Sequence, residues 1–540
     1  MEFNSFNSFD PLKVKLTAGT EAQANALRRE IENILKSYVG WYDPFCEAIQ
    51  NAIDSVEKRS KIGEDNYPPS VWIIINIQDN YLSVTDNGVG LTKEQFEQFL
   101  APYFSFKSGD TRGKKGAVAT YLAYGFNEIK VGTKTEHYSA SGKMVGAKKW
   151  VDDPNPAANP EVTPDQSGAV DSRFDEIDKG VSICIKFGKG TFPANLNWIQ
   201  TNDAESWMKI LRVKTAIGAI FKNDNITIYL KVIDKDGKIT EASTSEIEYL
   251  WTHLRAQKYA SRDKIEQKRK ELFDKGKDPN KLPSNLQNLE VIYKEWNFNE
   301  LISELKLESE EIKICNTYKP WVYGGYVFST KKWEQFNRSL NLREKQRILY
   351  GGIQVAANNM PQGELIQIPL NRNIGRQNNA HIVIHFSNYE PDLGRKGFKH
   401  EIVDFAKSVS AKLVEKLFKH HKYLKPTTGA RADLLRQESI EEWKEKLSLH
   451  EKENPLTLNN PNFFMPTNSI AITSIPSREQ DVIALFNQLI AGGVIRGVNI
   501  MSTNERFTYD GLYRIVINEP TEHHIYNSEN NPLGISTQHL

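Results

Sequence analysis

Cysteine is scarce in this chain of 540 residues: Cys46, Cys184 and Cys315 are its only three, far apart in sequence. That spacing excludes a disulfide framework and a CxxC metal ribbon. Net charge is equally scarce. Lys and Arg total 69 against 68 Asp and Glu, leaving +1, so no global field steers the protein to nucleic acid and any basic surface must be local. No apolar run reaches the length of a membrane span, and the opening residues (Met1, Glu2, Phe3, Asn4) do not read as a signal peptide. These absences lead to the expectation of a cytoplasmic protein with no membrane partner. What remains is ordinary for a globular chain, 39% hydrophobic and 25% charged residues, with length for two to four domains.

The chain is organised around residues 43–54, read with 86–90. Asp43 can cap a helix and Pro44 suits its first turn. On that helix Glu47, Asn51 and Asp54 fall at i, i+4 and i+7 and share one face. Ala48, Ile49, Ala52, Ile53 and Val56 form an apolar face opposite. Such a helix can dock on a sheet while pointing a carboxylate and an amide into a pocket. A strand over 81–85 then runs into Asp86, Asn87, Gly88, Val89 and Gly90. A carboxylate at a strand end followed by two glycines suits close backbone approach to a planar ligand. Asp-Asn-Gly by itself reads as a hairpin turn; it gains meaning from the helix before it.

The order Glu-x-x-x-Asn-Ala-x-Asp, then Asp-Asn-Gly-x-Gly, resembles the GHKL ATPase superfamily, whose ATP site is the Bergerat fold. The resemblance implies that Asp86 accepts from the adenine amino group, that Gly88 and Gly90 admit the adenine, and that Asn51 ligates Mg²⁺. It implies that Glu47 acts as general base on the attacking water. The Ser-, Lys- and Gly-rich stretch 103–116 is expected to form a lid. There Lys107, Lys114, Lys115 and Gly116, and the helix start at Ala117 and Val118, meet the phosphates. Two departures stand out. Val118 occupies the place of a second glycine, where valine resists positive φ and close approach. Val181 stands where the last motif usually has threonine, with Ser182 as an imperfect substitute. Both predict an altered phosphate grip and slow turnover.

The fold expected is α/β. An N-terminal Bergerat-type α/β sandwich spans 1–190, with evenly spaced Phe3, Phe6 and Phe9 in a tail pinned on the domain or in a strap crossing to a second subunit. The periodicity predicts helices over 21–38, 44–59, 91–100 and 204–220. It predicts strands over 71–77, 81–85, 127–135, 144–151, 226–233, 311–316, 321–329, 351–356, 365–370 and 381–387. Thr92 and Gln95 are spaced as a capping box. A second α/β unit over 191–425 resembles the transducer of the MORC-type and heat-shock-chaperone-like branches, from which Lys396 reaches the γ-phosphate. Within it, the charged stretch 253–311 predicts a protruding helical insertion. A helix over 398–421 buries Ile402, Phe405, Val409, Leu413 and Leu417. It carries Lys399, Lys407, Lys412, Lys416, Lys419 and Lys422, a solvated face or a phosphate-tracking surface.

A helix and linker occupy 426–468, and a small α/β unit 469–540. Glu479 near a helix start and Asp510 before a strand resemble a restriction-endonuclease-like metal site. That chemistry also needs a Glu-x-Lys, and no lysine follows Asp510; the expectation is either a unit that is not a nuclease or one truncated before its last motif. The function expected is an ATP- and Mg²⁺-dependent switch that dimerises through its ATPase domain and clamps or acts on DNA, in a bacterial anti-phage setting. Its partners would be a second copy, DNA, and a protein or nuclease subunit. Two rival readings are a protein-remodelling chaperone of heat-shock type and a non-hydrolysing nucleotide sensor that gates a partner or nuclease.

Overall fold

A computed structural model describes residues 21–64, 66–99, 117–153, 160–165, 171–223, 225–371, 373–391, 398–425, 498–501 and 514–517, without the side chains of 21–26, 117, 498–501 and 514–517. The chain divides into two units, Met1–Thr428 and Gly429–Leu540. Among the described residues there are thirteen helices, and the large unit holds two mixed sheets.

The first part of that unit runs α1 (Glu21–Ser37), α2 (Asp43–Ile62), β1 (Ser70–Asn76), β2 (Tyr81–Asp86), α3 (Lys93–Gln98), α4 (Ala117–Tyr124), β3 (Glu128–Lys134) and β4 (Ser139–Val145). It continues through α5 (Ala147–Asp152), β5 (Thr163–Pro164), α6 (Arg173–Glu176), β6 (Gly180–Lys186), α7 (Ala204–Lys214), β7 (Thr227–Ile233) and β8 (Ile239–Thr244). The strand order is β5-β4-β3-β6-β2-β1-β7-β8. The β1–β7 pairing is parallel and the others in this sheet antiparallel. Val71, Ile73, Ile75, Leu82, Val84, Ile183 and Ile185 form one core with Ile49, Ile53 and Val56 of α2. The β-branched run of β1 suits a strand buried on both faces.

The second part comprises β9 (Tyr259–Ser261), α8 (Arg262–Asp274), β10 (Val291–Trp296), α9 (Phe298–Glu304), α10 (Ser309–Tyr318), β11 (Trp321–Val327), α11 (Lys331–Arg338), β12 (Gly352–Ala357), β13 (Met360–Ile366), α12 (Ile374–Asn379), β14 (Ala380–Phe386) and α13 (His400–Phe418). Its sheet order is β13-β12-β14-β11-β10-β9. One face packs on α13 through Ile402, Phe405, Val409, Leu413 and Leu417. Residues of the other face, Val291, Tyr323, Val327 and Val383, share the core of the first sheet, with Trp207, Ile210 and Leu211 of α7 in the same cluster. In the unit Gly429–Leu540, an antiparallel ribbon of β15 (Val498–Met501) and β16 (Arg514–Ile517) is described.

Several expectations change here. The first sheet does not stop near 190: β7 pairs with β1 along its whole length, so 204–244 belongs to it. The stretch 253–311 is no simple protrusion, because β9 and β10 are strands of the second sheet. Residues 311–316 are helical within α10, where Glu308 and Glu311 form a reciprocal capping pair. Residues 144–151 divide between the end of β4 and α5, and the helix expected to reach 220 ends at Lys214. Among the described residues no helix is long and apolar enough to cross a membrane.

Candidate functional site

Helix α2 carries Pro44 in its first turn and ends at Gly63, whose φ of 79° supplies a left-handed cap. Asp43 is not its cap. Tyr42 holds that position, and Asp43 turns back to accept the Gly40 N–H at 2.6 Å. The polar face of α2 is not open to solvent: Glu47 is 2% exposed and Asp54 7%, while Asn51 is half-buried. The helix is thus enclosed on both faces, and Glu47 and Asn51 hold places on it one turn apart.

Strand β2 delivers Asp86 beneath this helix. Its Oδ1 accepts the Gly88 N–H at 2.8 Å, and the Ser55 hydroxyl of α2 and the Val181 N–H also bond to the carboxyl. Burial raises its pKa to about 7 against the pull of those three donors. An ionised carboxylate offers about four acceptor sites, and these donors occupy three of them.

The two glycines are required by the chain itself. A Cβ at Gly88 would lie 2.1 Å from Ser55 Oγ and 2.5 Å from its backbone carbon. Gly90 has φ of +70°, and a Cβ there would lie 2.1 Å from the Lys134 carbonyl. The segment between is anchored on both sides. Asn87 accepts the Ser70 N–H at 2.8 Å and donates to the Pro68 carbonyl at 2.8 Å. Thr133 Oγ1 accepts the Leu91 N–H at 2.7 Å. Arg59, 5% exposed, donates to the Asn87 carbonyl at 2.8 Å and pairs with Glu64 and Asp178. Neither the Arg59 cluster nor the Asn87 clamp was foreseen.

Two sequence expectations are corrected. Ser182 pairs in register with Thr85, whereas Asp86 faces Val181. Neighbouring residues of a strand point to opposite faces, so Ser182 lies on the far face from Asp86, with its Oγ 2.8 Å from Thr85 Oγ1. The contact at the threonine position comes instead from the Val181 backbone, which any residue can supply. Val118 lies inside α4 and packs against the core; a helical backbone asks for no positive φ there. Val118 therefore carries no strain from positive φ.

Sequence reading also missed Tyr121. It stacks on Tyr38 at 4.0 Å, and its hydroxyl is buried without a hydrogen-bond partner. Burial raises its pKa, and the carboxylates of Asp43 and Glu47 add to that rise. An aromatic on an apolar helix reads as core, so only geometry could expose it. Lys107, Lys114, Lys115 and Gly116, the side chain of Ala117, Lys396, Glu479, Asp510 and the strap Phe3, Phe6 and Phe9 lie outside the described residues. Among the described residues no group of three or more His, Cys, Asp and Glu side chains is placed to hold a metal ion.

No protein-family model matches the chain, and no curated protein matches it. The geometry thus stands by itself: a mixed α/β unit with a buried carboxyl at a strand end and a helix whose carboxylate Glu47 is enclosed.

Proposed function

We propose that the chain is an ATP-dependent conformational switch of the GHKL type, with 1–190 contributing the nucleotide site and the second sheet a transducer-like layer. The observation that carries the reading is Asp86, a buried carboxyl near neutrality with three internal donors and one acceptor site left. It suits recognition of an exocyclic amino group. Asn51 is the ligand assigned to Mg²⁺, which when bound with ATP would neutralise phosphate charge. Glu47 is the general base and holds the attacking water. Because Glu47 is 2% exposed, access of water to it requires movement of the surrounding segments, so hydrolysis is coupled to a conformational step. Dimerisation and clamping of DNA remain the favoured output. The lysines of α13 give that output limited support, since Lys412 pairs with Glu311 at 2.7 Å and Lys416 approaches Glu304 at 3.9 Å.

The same enclosure of Glu47 favours one alternative, a sensor that binds nucleotide without turnover. Steady-state ATP hydrolysis with Mg²⁺, with and without duplex DNA, separates the two. Turnover abolished by Glu47→Ala with binding retained supports the switch. Binding without turnover in the wild type supports the sensor. Absence of ATP binding overturns both.

A further inference from the structure

A second candidate site lies away from Asp86, between the two sheets. A cavity of about 250 Å³ is lined by residues that include Lys209 of α7, Arg255, and Lys332, Trp333 and Phe336 of α11, with Val327 of β11 in its wall. Among the described residues no carboxylate lines it. The Arg255 guanidinium lies 4.6 Å from the centre of the Phe336 ring and 5.6 Å from that of Trp333. Its one hydrogen bond among the described residues is a long one, 3.5 Å to the Trp251 carbonyl. Lys332 is balanced by Glu290 at 2.8 Å. Among the described residues neither Lys209 nor Arg255 has a carboxylate within ion-pairing distance.

Three cations and one balancing carboxylate leave a surplus of two positive charges around a half-open cleft. A desolvated guanidinium is costly without an anion, and ring faces offset only part of that cost. Consistent with this, burial lowers the Arg255 pKa to about 10. The cavity is smaller than the ~300–1,000 Å³ typical of drug-sized ligands, which points to a compact molecule. A surplus of two positive charges matches a phosphate dianion, which guanidinium and ammonium groups both recognise, better than a singly charged carboxylate.

We propose that this cavity binds a small phosphorylated molecule, distinct from the nucleotide of the Asp86 site. Its walls come from α7 of the first sheet's part and from α11 and β11 of the second, so an occupant would tie the two layers together.

The test uses the full chain in chloride buffer, titrated with inorganic phosphate and with ribose 5-phosphate, read by calorimetry and by the thermal midpoint. It is run in wild type and in Asp86→Asn, so that loss of the nucleotide reading does not touch it. Saturable binding with a Kd below about 10 mM in both proteins is expected. Lys209→Glu, at a half-exposed helix position, should weaken it at least tenfold. Arg255→Met should abolish the phosphate-induced midpoint shift while raising the midpoint of the ligand-free protein, since an unbalanced cation is removed. If Arg255→Met does not fold, Lys209→Glu still decides. No saturable binding, or binding that Lys209→Glu leaves unchanged, overturns the proposal; so does binding lost in Asp86→Asn.

Discussion

Lys214 Nζ lies 3.0 Å from Glu364 Oε2, joining the last residue of α7 to β13 in the second sheet. The same ammonium lies 5.7 Å from the Tyr42 ring at the start of α2, and the Lys214 carbonyl accepts from Cys46 Sγ at 3.0 Å. The helix bearing Glu47 is thus tied through one residue to the far sheet. Glu364 is largely exposed, so the pair itself is worth about 1 kcal/mol or less. Glu364→Gln should lower stability by about that amount through a lysine left buried and unpaired, and Lys214→Met should be close to neutral. A double-mutant cycle by urea unfolding checks both. A loss above about 3 kcal/mol for Glu364→Gln would mean the pair is shielded from water.

If Asp86 holds the nucleotide as proposed, it should set the pH dependence of binding. Its pKa is raised to about 7, above the ~3.9 of an unfolded chain. In the free protein its contribution to stability is present below about 3.9 and is lost as pH rises through about 7. An amino donor needs the ionised form. Nucleotide affinity should therefore rise nearly tenfold per pH unit below about 7 and level off above it. Calorimetry near pH 6 in two buffers of different ionisation enthalpy should show release of about one proton on binding. A flat profile would separate the ligand from Asp86.

Three buried histidines make the unit acid-sensitive. His381 Nδ1 lies 3.0 Å from the Tyr350 carbonyl, which only accepts, so Nε2 accepts from the Tyr249 hydroxyl at 2.9 Å. Burial draws His381 down to about 3, and His253 and His385 to about 4. The unfolded value is about 6.5. Stability is present above about 6.5 and is lost as pH falls toward the folded values, by about 1.4 kcal/mol per unit for each histidine. Urea midpoints between about pH 6.5 and 4 should show uptake of close to three protons on unfolding. His385→Asn should remove one of them, and a pH-independent midpoint would show that the histidines titrate normally.

Gly88→Ala should be far more harmful than Ser55→Ala. The added methyl meets the Ser55 backbone carbon at 2.5 Å and Asp86 Oδ1 at 2.7 Å, neither of which can retreat without moving α2 or the carboxyl. Overpacking of this kind costs about 1–3 kcal/mol, and nucleotide binding should be lost with it. Ser55→Ala removes one donor to Asp86, and its pKa should rise further. Thermal midpoints and nucleotide titrations on both variants check the order.

Local signals made much of this legible. Thr92 and Gln95 do form their reciprocal capping box, and the stripe Ile402 to Leu417 does face a sheet. The hairpin ending at Asp86 and the helix bearing Glu47 were also readable, because each is declared within a few residues. Errors arose where periodicity misled or where partners are distant. In α10, Ile312 and Ile314 alternate with Lys313 and Cys315 like a strand, and the overlooked sign was the Glu308–Glu311 spacing. In β4, Ser139, Ser141 and Gly142 hide a strand whose identity comes from pairing with β3. Arg59 meets Asp178 across 119 positions, and no local pattern announces such a pair. Ser182 failed for a simpler reason: a shift of one residue along a strand changes the face.

The core shared by the two sheets has a consequence for how the large unit comes apart. Strands β7 and β8 and the helix α7 follow residue 190, yet they complete the sheet that holds Asp86, and α7 packs into the cluster that also contains Val291 and Tyr323. A fragment ending at 190 would expose the free edge of β1 and a stripped apolar face, and would aggregate. Calorimetry of the large unit should give one endotherm spanning both sheets. Limited proteolysis should find no cut between 190 and 253 that releases a soluble half, so strain entering at α2 has no seam at which to dissipate before it reaches β13.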